Sequence, residues 1–170
     1  MIKGELGEGG ERRQHRPAGA PRMIIDPVSK AIIEQLQQDG RRSYAAIAAS
    51  VGISEEAVRT RVTQLVDAGV MQIVAVTDPM QLGFHRQAMI GIRVSGDARR
   101  VAEAVAEIEA IDYVVITVGA FDVLAEVVCE DDEDLLSLIN DVIRPIDGVL
   151  STETFIYAKL QKQLYNWGTR

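Results

Sequence analysis

The sequence predicts an α+β chain in two parts: an N-terminal helix-turn-helix unit of winged type and, after a strand and hinge, a C-terminal ferredoxin-like β-α-β-β-α-β unit. Three observations predict it. Apolar residues recur at helical spacing through residues 27–66, Gly52 and Ser54 punctuate the last two of those helical segments, and from residue 86 onward alternating apolar runs enclose two further helical ones.

Residues 1–22 combine glycine, proline and charge with almost nothing to bury, and are expected to form a disordered arm. Residues 23–70 make the helical unit. Asp26 followed by Pro27 is an N-cap and first-turn pair, so a first helix carries Ile32, Ile33 and Leu36 inward and stops at Gly40. Ser43 caps a second helix with Ala46, Ile47 and Val51 inward, and Gly52 supplies the backbone freedom for a sharp turn. Ser54 caps a third, whose buried stripe is Val58, Val62, Leu65 and Val66. Its first-turn Glu55 and Glu56 suit the positive end of the helix dipole. Residues 71–85 form the linker: VMQIVAVTDP reads as an apolar strand and DPMQLGF as the hinge turn.

Residues 86–170 make the second unit. RQAMIGIRV is a strand, and DARRVAEAVAEIEAI is a helix with Val101, Ala104, Val105 and Ile108 inward. YVVITVG and AFDVLAEVV are strands around Gly119, DEDLLSLINDVIRPI is a helix with Leu135, Ile139, Val142 and Ile143 inward, and STETFIYAKL is the last strand. Ala88, Ile90, Ile92 and Val94 share one side of the first strand, while Met89, Tyr113, Val115, Phe155 and Tyr157 occupy the opposite sides of their strands. Both sheet faces are therefore partly apolar, and the chain's own helices cover one. A second copy is the economical cover for the other, which predicts a homodimer.

Composition narrows the chemistry. No apolar run approaches the roughly 20 residues that span a bilayer, and no leader pattern opens the chain, so a cytoplasmic, membrane-free protein is expected. Cys129 is the sole cysteine and His15 and His85 are the only histidines, which argues against a thiolate or imidazole metal cage; no metal and no cofactor are expected. CEDDEDLL, residues 129–136, is read as a capped helix start rather than a cation site. The net charge is −7, unevenly spread. Residues 1–76 hold 10 Lys and Arg against 9 Asp and Glu, whereas residues 77–170 hold 8 against 16. The helical unit is thus nearly neutral and the acidity lies beyond it.

Projected at roughly 100° per residue, the third helix turns Glu56, Thr60, Thr63 and Gln64 away from its buried stripe, with Arg59 and Arg61 on the flanks. That pattern suits a helix lying in the major groove of double-stranded DNA, where outer side chains meet base edges and flanking cations meet phosphates; Glu can accept from cytosine. The candidate DNA-contacting set is Arg41, Arg42, Ser43, Ser54, Glu55, Glu56, Arg59, Thr60, Arg61 and Thr63.

IIEQLQQDGRRSYAAIAASVGISEEAVRTRVTQLVDAGVM, the DPMQLGF turn, and then a unit containing TVGAFDVLAEV together resemble the leucine-responsive (Lrp/AsnC, feast/famine) family of transcription factors, over about residues 24–165. The resemblance implies DNA binding through the helix-turn-helix, dimerisation through the C-terminal unit, assembly to octamers, and sensing of amino acids or related small molecules. It also implies an effector site between neighbouring dimers at the turn linking the second and third strands, which here is Val118, Gly119, Ala120, Phe121 and Asp122. Gly119 and Ala120 would permit close backbone approach, and Asp122 either pairs with a ligand ammonium group or bonds backbone of its own turn. Two other readings stay open: a regulator without an effector, and an enzyme resembling tetrapyrrole decarboxylases of the same two-domain architecture. The latter would need a basic, histidine-bearing cavity, for which the acidic C-terminal part offers only His85.

Overall fold

The computed structural model describes residues 24–164, 168 and 169. The expected arm of residues 1–22 lies outside the described residues. The chain divides into two compact units, one ending at Val74 and the other spanning Ala75–Gln163. The Thr169 hydroxyl donates to the Glu34 carboxylate in the first unit.

Three helices build the first unit: α1 (Pro27–Gln38), α2 (Tyr44–Val51) and α3 (Glu55–Asp67). Each start is capped as its sequence dictates. Asp26 accepts from the Ser29 N–H at 2.8 Å, Ser43 from Ala46 at 3.2 Å and Ser54 from Ala57 at 3.2 Å, each satisfying a donor that the first helical turn leaves without a partner. Gly52 ends α2 at φ +75°, a left-handed conformation costly for any residue with a Cβ. Ile32, Leu36, Ile47, Ala48, Val58 and Val62 close into one core. Two expected inward residues face solvent instead. Ala46 and Val66 are exposed, and Ala48 takes the inward place on α2, because only a narrow stripe of each short helix meets its two neighbours.

The strand expected from Val70 does not form. Residues 71–78 carry no regular structure, and Ile73, Val74 and Val76 are exposed. A strand exists only through ladder hydrogen bonds to a neighbour, and no strand of this single chain pairs with the segment, so among the described residues the helices also carry no wing. Asp78 then caps a short 3₁₀ turn, Pro79–Leu82, where DPMQLGF marks the hinge.

In the second unit, β1 (Arg86–Val94), α4 (Ala98–Ala106), β2 (Ile111–Ile116), β3 (Val123–Cys129), α5 (Asp132–Ser137) and β4 (Val149–Ile156) follow in the expected order. The antiparallel sheet has the order β2-β3-β1-β4, the ferredoxin-like arrangement. Ala88, Ile90, Ile92, Val123, Ala125 and Val127 meet Val101, Val105, Leu135 and Ile143 in its core. Ala102, not Ala104, lies inward on α4, which ends at Ala106 rather than running to Ile111. After Ser137 the backbone widens into a π-helical segment, Leu138–Ile143, where the Arg144 N–H reaches back five residues to Ile139 O at 3.0 Å. That wider winding turns Leu138 inward and leaves Val142 exposed, contrary to simple helical projection.

Candidate nucleic-acid interface and effector turn

With Val58, Val62 and Leu65 fixed in the core, α3 turns Glu55, Glu56, Arg59, Thr60 and Thr63 to the exterior, and all five are exposed. Their polar groups are not equally available. Arg59 Nη2 lies 3.3 Å from Glu55 Oε1, one helical turn back, and its guanidinium sits 5.3 Å from the centroid of the Tyr44 ring on α2. The Thr60 hydroxyl donates to the Glu56 backbone carbonyl at 3.0 Å. Ser43 and Ser54 use their oxygens as cap acceptors, which leaves each hydroxyl proton free for a phosphate. Arg41 and Arg42 lie in the loop before α2, with Arg41 exposed and Arg42 half-buried.

Arg61 corrects the sequence reading. Expected as a free flanking cation, it is ion-paired to the Asp26 carboxylate and donates to Ser29 Oγ at 2.9 Å, tying α3 to the capped start of α1. The Ser29 N–H first, and then the Arg61 guanidinium, hold the Asp26 carboxyl below its ordinary range. This contact spans 35 residues of sequence and could not be read from α3 alone. Arg59, also expected to be free, is the more available of the two, because its side chain is 56% exposed against 33% for Arg61.

The expected tight turn at Gly119 is instead a loop of residues 117–122 with a bolted base and a bare tip. Asp122 N–H donates to Ile92 O at 2.9 Å, Val94 N–H donates to Asp122 Oδ2 at 2.8 Å, and Thr117 binds Asp122 O through its N–H and Phe121 O through its hydroxyl. Asp122 therefore bonds backbone, as one of its two sequence readings holds, but on β1 rather than within its own turn. Val118, Gly119 and Ala120 are exposed, and nothing lies within 4 Å of where a Gly119 Cβ would stand. The close approach expected at Gly119 is not made within the single chain.

The two units, in this order along one chain, match known proteins. A model of the AsnC-type helix-turn-helix domain matches residues 25–66, and one described as an AsnC-type C-terminal dimeric α+β barrel domain matches residues 84–170. An uncharacterised HTH-type transcriptional regulator of Pyrococcus furiosus is 34% identical over 147 residues, 85% of this chain and 97% of the relative. The chain belongs to the AsnC family of transcriptional regulators. Among solved structures, Escherichia coli AsnC superposes with a TM-score of 0.70 at 27% identity, covering 83% of this chain and 97% of AsnC. A transcriptional regulator of Neisseria meningitidis, solved as a complex with L-Met, shares the fold with a TM-score of 0.72 at 23% identity, covering 84% and 95%.

As an AsnC-family protein, the chain joins a DNA-binding N-terminal unit to a dimer-forming C-terminal one. The sheet face away from α4 and α5 is left uncovered by the unit's own helices. Register aligns Tyr113 with Glu126, Val115 with Leu124, and Met89 with both Glu126 and Phe155, so these side chains share that face. Phe121 leans onto it over Gly91: a Cβ at residue 91 would stand 2.7 Å from the ring. The ring meets Phe155 edge-on at 5.9 Å and carries the Arg93 guanidinium 5.5 Å from its centroid. Gln87 donates to Glu126 at 3.1 Å, and burial together with Glu126 pushes the Tyr157 hydroxyl up to about 12. Sequence reasoning missed Tyr44, Asp26 and Gly91 as site residues. Only Gly91 carried a local signal, since a glycine inside an alternating strand marks close approach.

Proposed function

We propose that this AsnC-family regulator docks α3 in the major groove of double-stranded DNA, two heads per homodimer, and that dimers assemble further to octamers in the cytoplasm. The observation that carries this reading is the sorted surface of α3: an apolar stripe sealed in the core, and an opposite face of exposed Glu55, Glu56, Arg59, Thr60 and Thr63 between two capped helix starts. Arg59 and the loop residues Arg41 and Arg42 supply phosphate contacts, joined by the Ser43 and Ser54 hydroxyls. A near-neutral head binds weakly alone, and linking several heads raises their effective concentration on one duplex. Mobility shift on a random-sequence duplex at two salt concentrations tests it: affinity should fall steeply with salt, and absence of any retardation at low salt would refute it.

The loop of residues 117–122 is the proposed effector site, taking an amino acid or a related small molecule between dimers. A rigid base with an exposed tip of Val118, Gly119 and Ala120 presents backbone to a ligand, and Asp122 keeps Oδ1 for an ammonium group while Oδ2 holds Val94. The L-Met complex of the Neisseria meningitidis protein supports the ligand class. Thermal-shift screening against the proteinogenic amino acids should raise the melting point for at least one, and a flat response to all would leave a regulator without an effector. The same reading makes the chain a non-enzyme: its C-terminal unit is acidic and carries His85 alone, which does not suit a basic tetrapyrrole cavity.

A further inference from the structure

In the first two turns of α3 the charged side chains of Glu55, Arg59 and Arg61 are engaged within the protein, and one carboxylate is left over. Glu55 is paired with Arg59, Arg59 also rests on Tyr44, the Thr60 hydroxyl is spent on the Glu56 carbonyl, and Arg61 is tied to Asp26 and Ser29. Among the described residues, no hydrogen bond or ion pair engages the Glu56 carboxylate. It is exposed at the second residue of the helix, the part of a recognition helix that reaches base edges.

We propose that Glu56 reads a cytosine, accepting from its exocyclic N4 amino group, and so determines one base of each half-site; this rests on the docking of α3 proposed above. An ionised carboxylate offers acceptors only. Guanine presents N7 and O6, and thymine presents O4 and a methyl group, so either would leave the carboxylate desolvated against acceptors or apolar surface. Adenine has an amino donor, but its N7 acceptor stands beside it and repels the second carboxylate oxygen. Cytosine presents the N4 donor with only its own C5–H edge on one side and the paired guanine O6 on the other, whereas adenine N6 stands between two acceptors, its own N7 and the paired thymine O4. Glu55 does not compete for this task, because Arg59 holds it.

Selection of binding sites from a randomised duplex pool, run with the full chain and with Glu56→Gln, tests the assignment. The unaltered protein should enrich cytosine at one position of each half-site, roughly tenfold over the other bases. Glu56→Gln, which adds a donor and suits the adenine N6 and N7 pair, should move that position to adenine and leave the others unchanged. Identical half-sites from both proteins, or no preferred base at all, would overturn the proposal. Arg59→Ala, measured on the same pool, separates the two levels. If it weakens binding while Glu56→Gln leaves the half-site unchanged, docking stands and the cytosine assignment fails. If Arg59→Ala has no effect on affinity and Glu56→Gln none on sequence, docking of α3 falls and the assignment with it.

Discussion

In the helical unit the side chains turned away from the core are Glu55, Glu56, Arg59, Thr60 and Thr63, whereas in the sheet unit they include Met89, Tyr113, Val115, Leu124 and Phe155. The first surface rests comfortably in water and can exchange its waters for a polar duplex. The second cannot stay bare without leaving a broad apolar area in solvent, so a second copy is its natural cover. One chain thus carries a surface suited to reversible binding and another suited to lasting association. The difference follows from periodicity: a short helix buries a narrow stripe, while a sheet with helices on one face leaves its whole other face open.

The largest way to break the contrast is Gly91→Ala. A Cβ there meets the Phe121 ring at 2.7 Å, well inside any tolerated contact, so the ring must leave its seat. We expect a loss of about 1–3 kcal/mol in urea unfolding, as overpacking typically brings, with a shift toward monomer in sedimentation. The helical unit should be untouched. Adding Phe121→Ala should recover part of the loss, because removing the ring makes room; a double variant no better than the sum of the singles would mean the seat was misplaced.

A smaller effect is expected in the helical unit from Asp26→Asn. Asparagine also caps helices well, so the cap survives and the charge pairing with Arg61 is lost. The folded Asp26 carboxyl lies below its ordinary value of 3.8, so ionisation favours the folded state. Its contribution is therefore fully present above that value and disappears as pH falls through the lowered folded value. The variant should melt lower than the parent at neutral pH, and the two melting curves should converge in acid. A gap that persists or widens in acid would contradict the pairing. Asp132, lowered by its hydrogen bonds from Arg86, adds an acid-sensitive contact to the sheet unit with the same sign.

The smallest effect belongs to Arg100→Ala. Arg100 and Asp147 approach only to 3.9 Å and both are largely exposed. Solvent screening leaves such a pair worth little, and unfolding should change by less than about 0.5 kcal/mol. A larger loss would mean that exposed ion pairs matter more here than the apolar contacts.

Local signals proved readable and distant ones did not. Asp26 before Pro27, Ser43 and Ser54 cap their helices through contacts three residues away, and β1 alternates along its own length, so the sequence shows them directly. The ends of the buried stripes depend on what packs beside them, which is why Val66 and Ala46 are exposed and Ala102 replaces Ala104. The exchange of Val142 for Leu138 follows from π-helical winding that a regular projection omits. Arg61 reads as a free cation on its helix because its partner lies in another. The strand expected in VMQIVAVTDP, residues 70–79, had the right side chains but no neighbour among the described residues to pair with its backbone.

The central claim is that α3 grips DNA with Arg59 while Arg61 holds the helix in place. Affinity for one duplex, measured across a series of salt concentrations for Arg59→Ala and Arg61→Ala side by side, tests it most directly. Loss of a phosphate contact should lower the slope of log affinity against log salt by about one per bound head. Loss of a positioning contact should weaken binding with the slope unchanged. We predict the first result for Arg59→Ala and the second for Arg61→Ala; the reverse assignment, or equal slopes for both variants and the parent, would contradict this account.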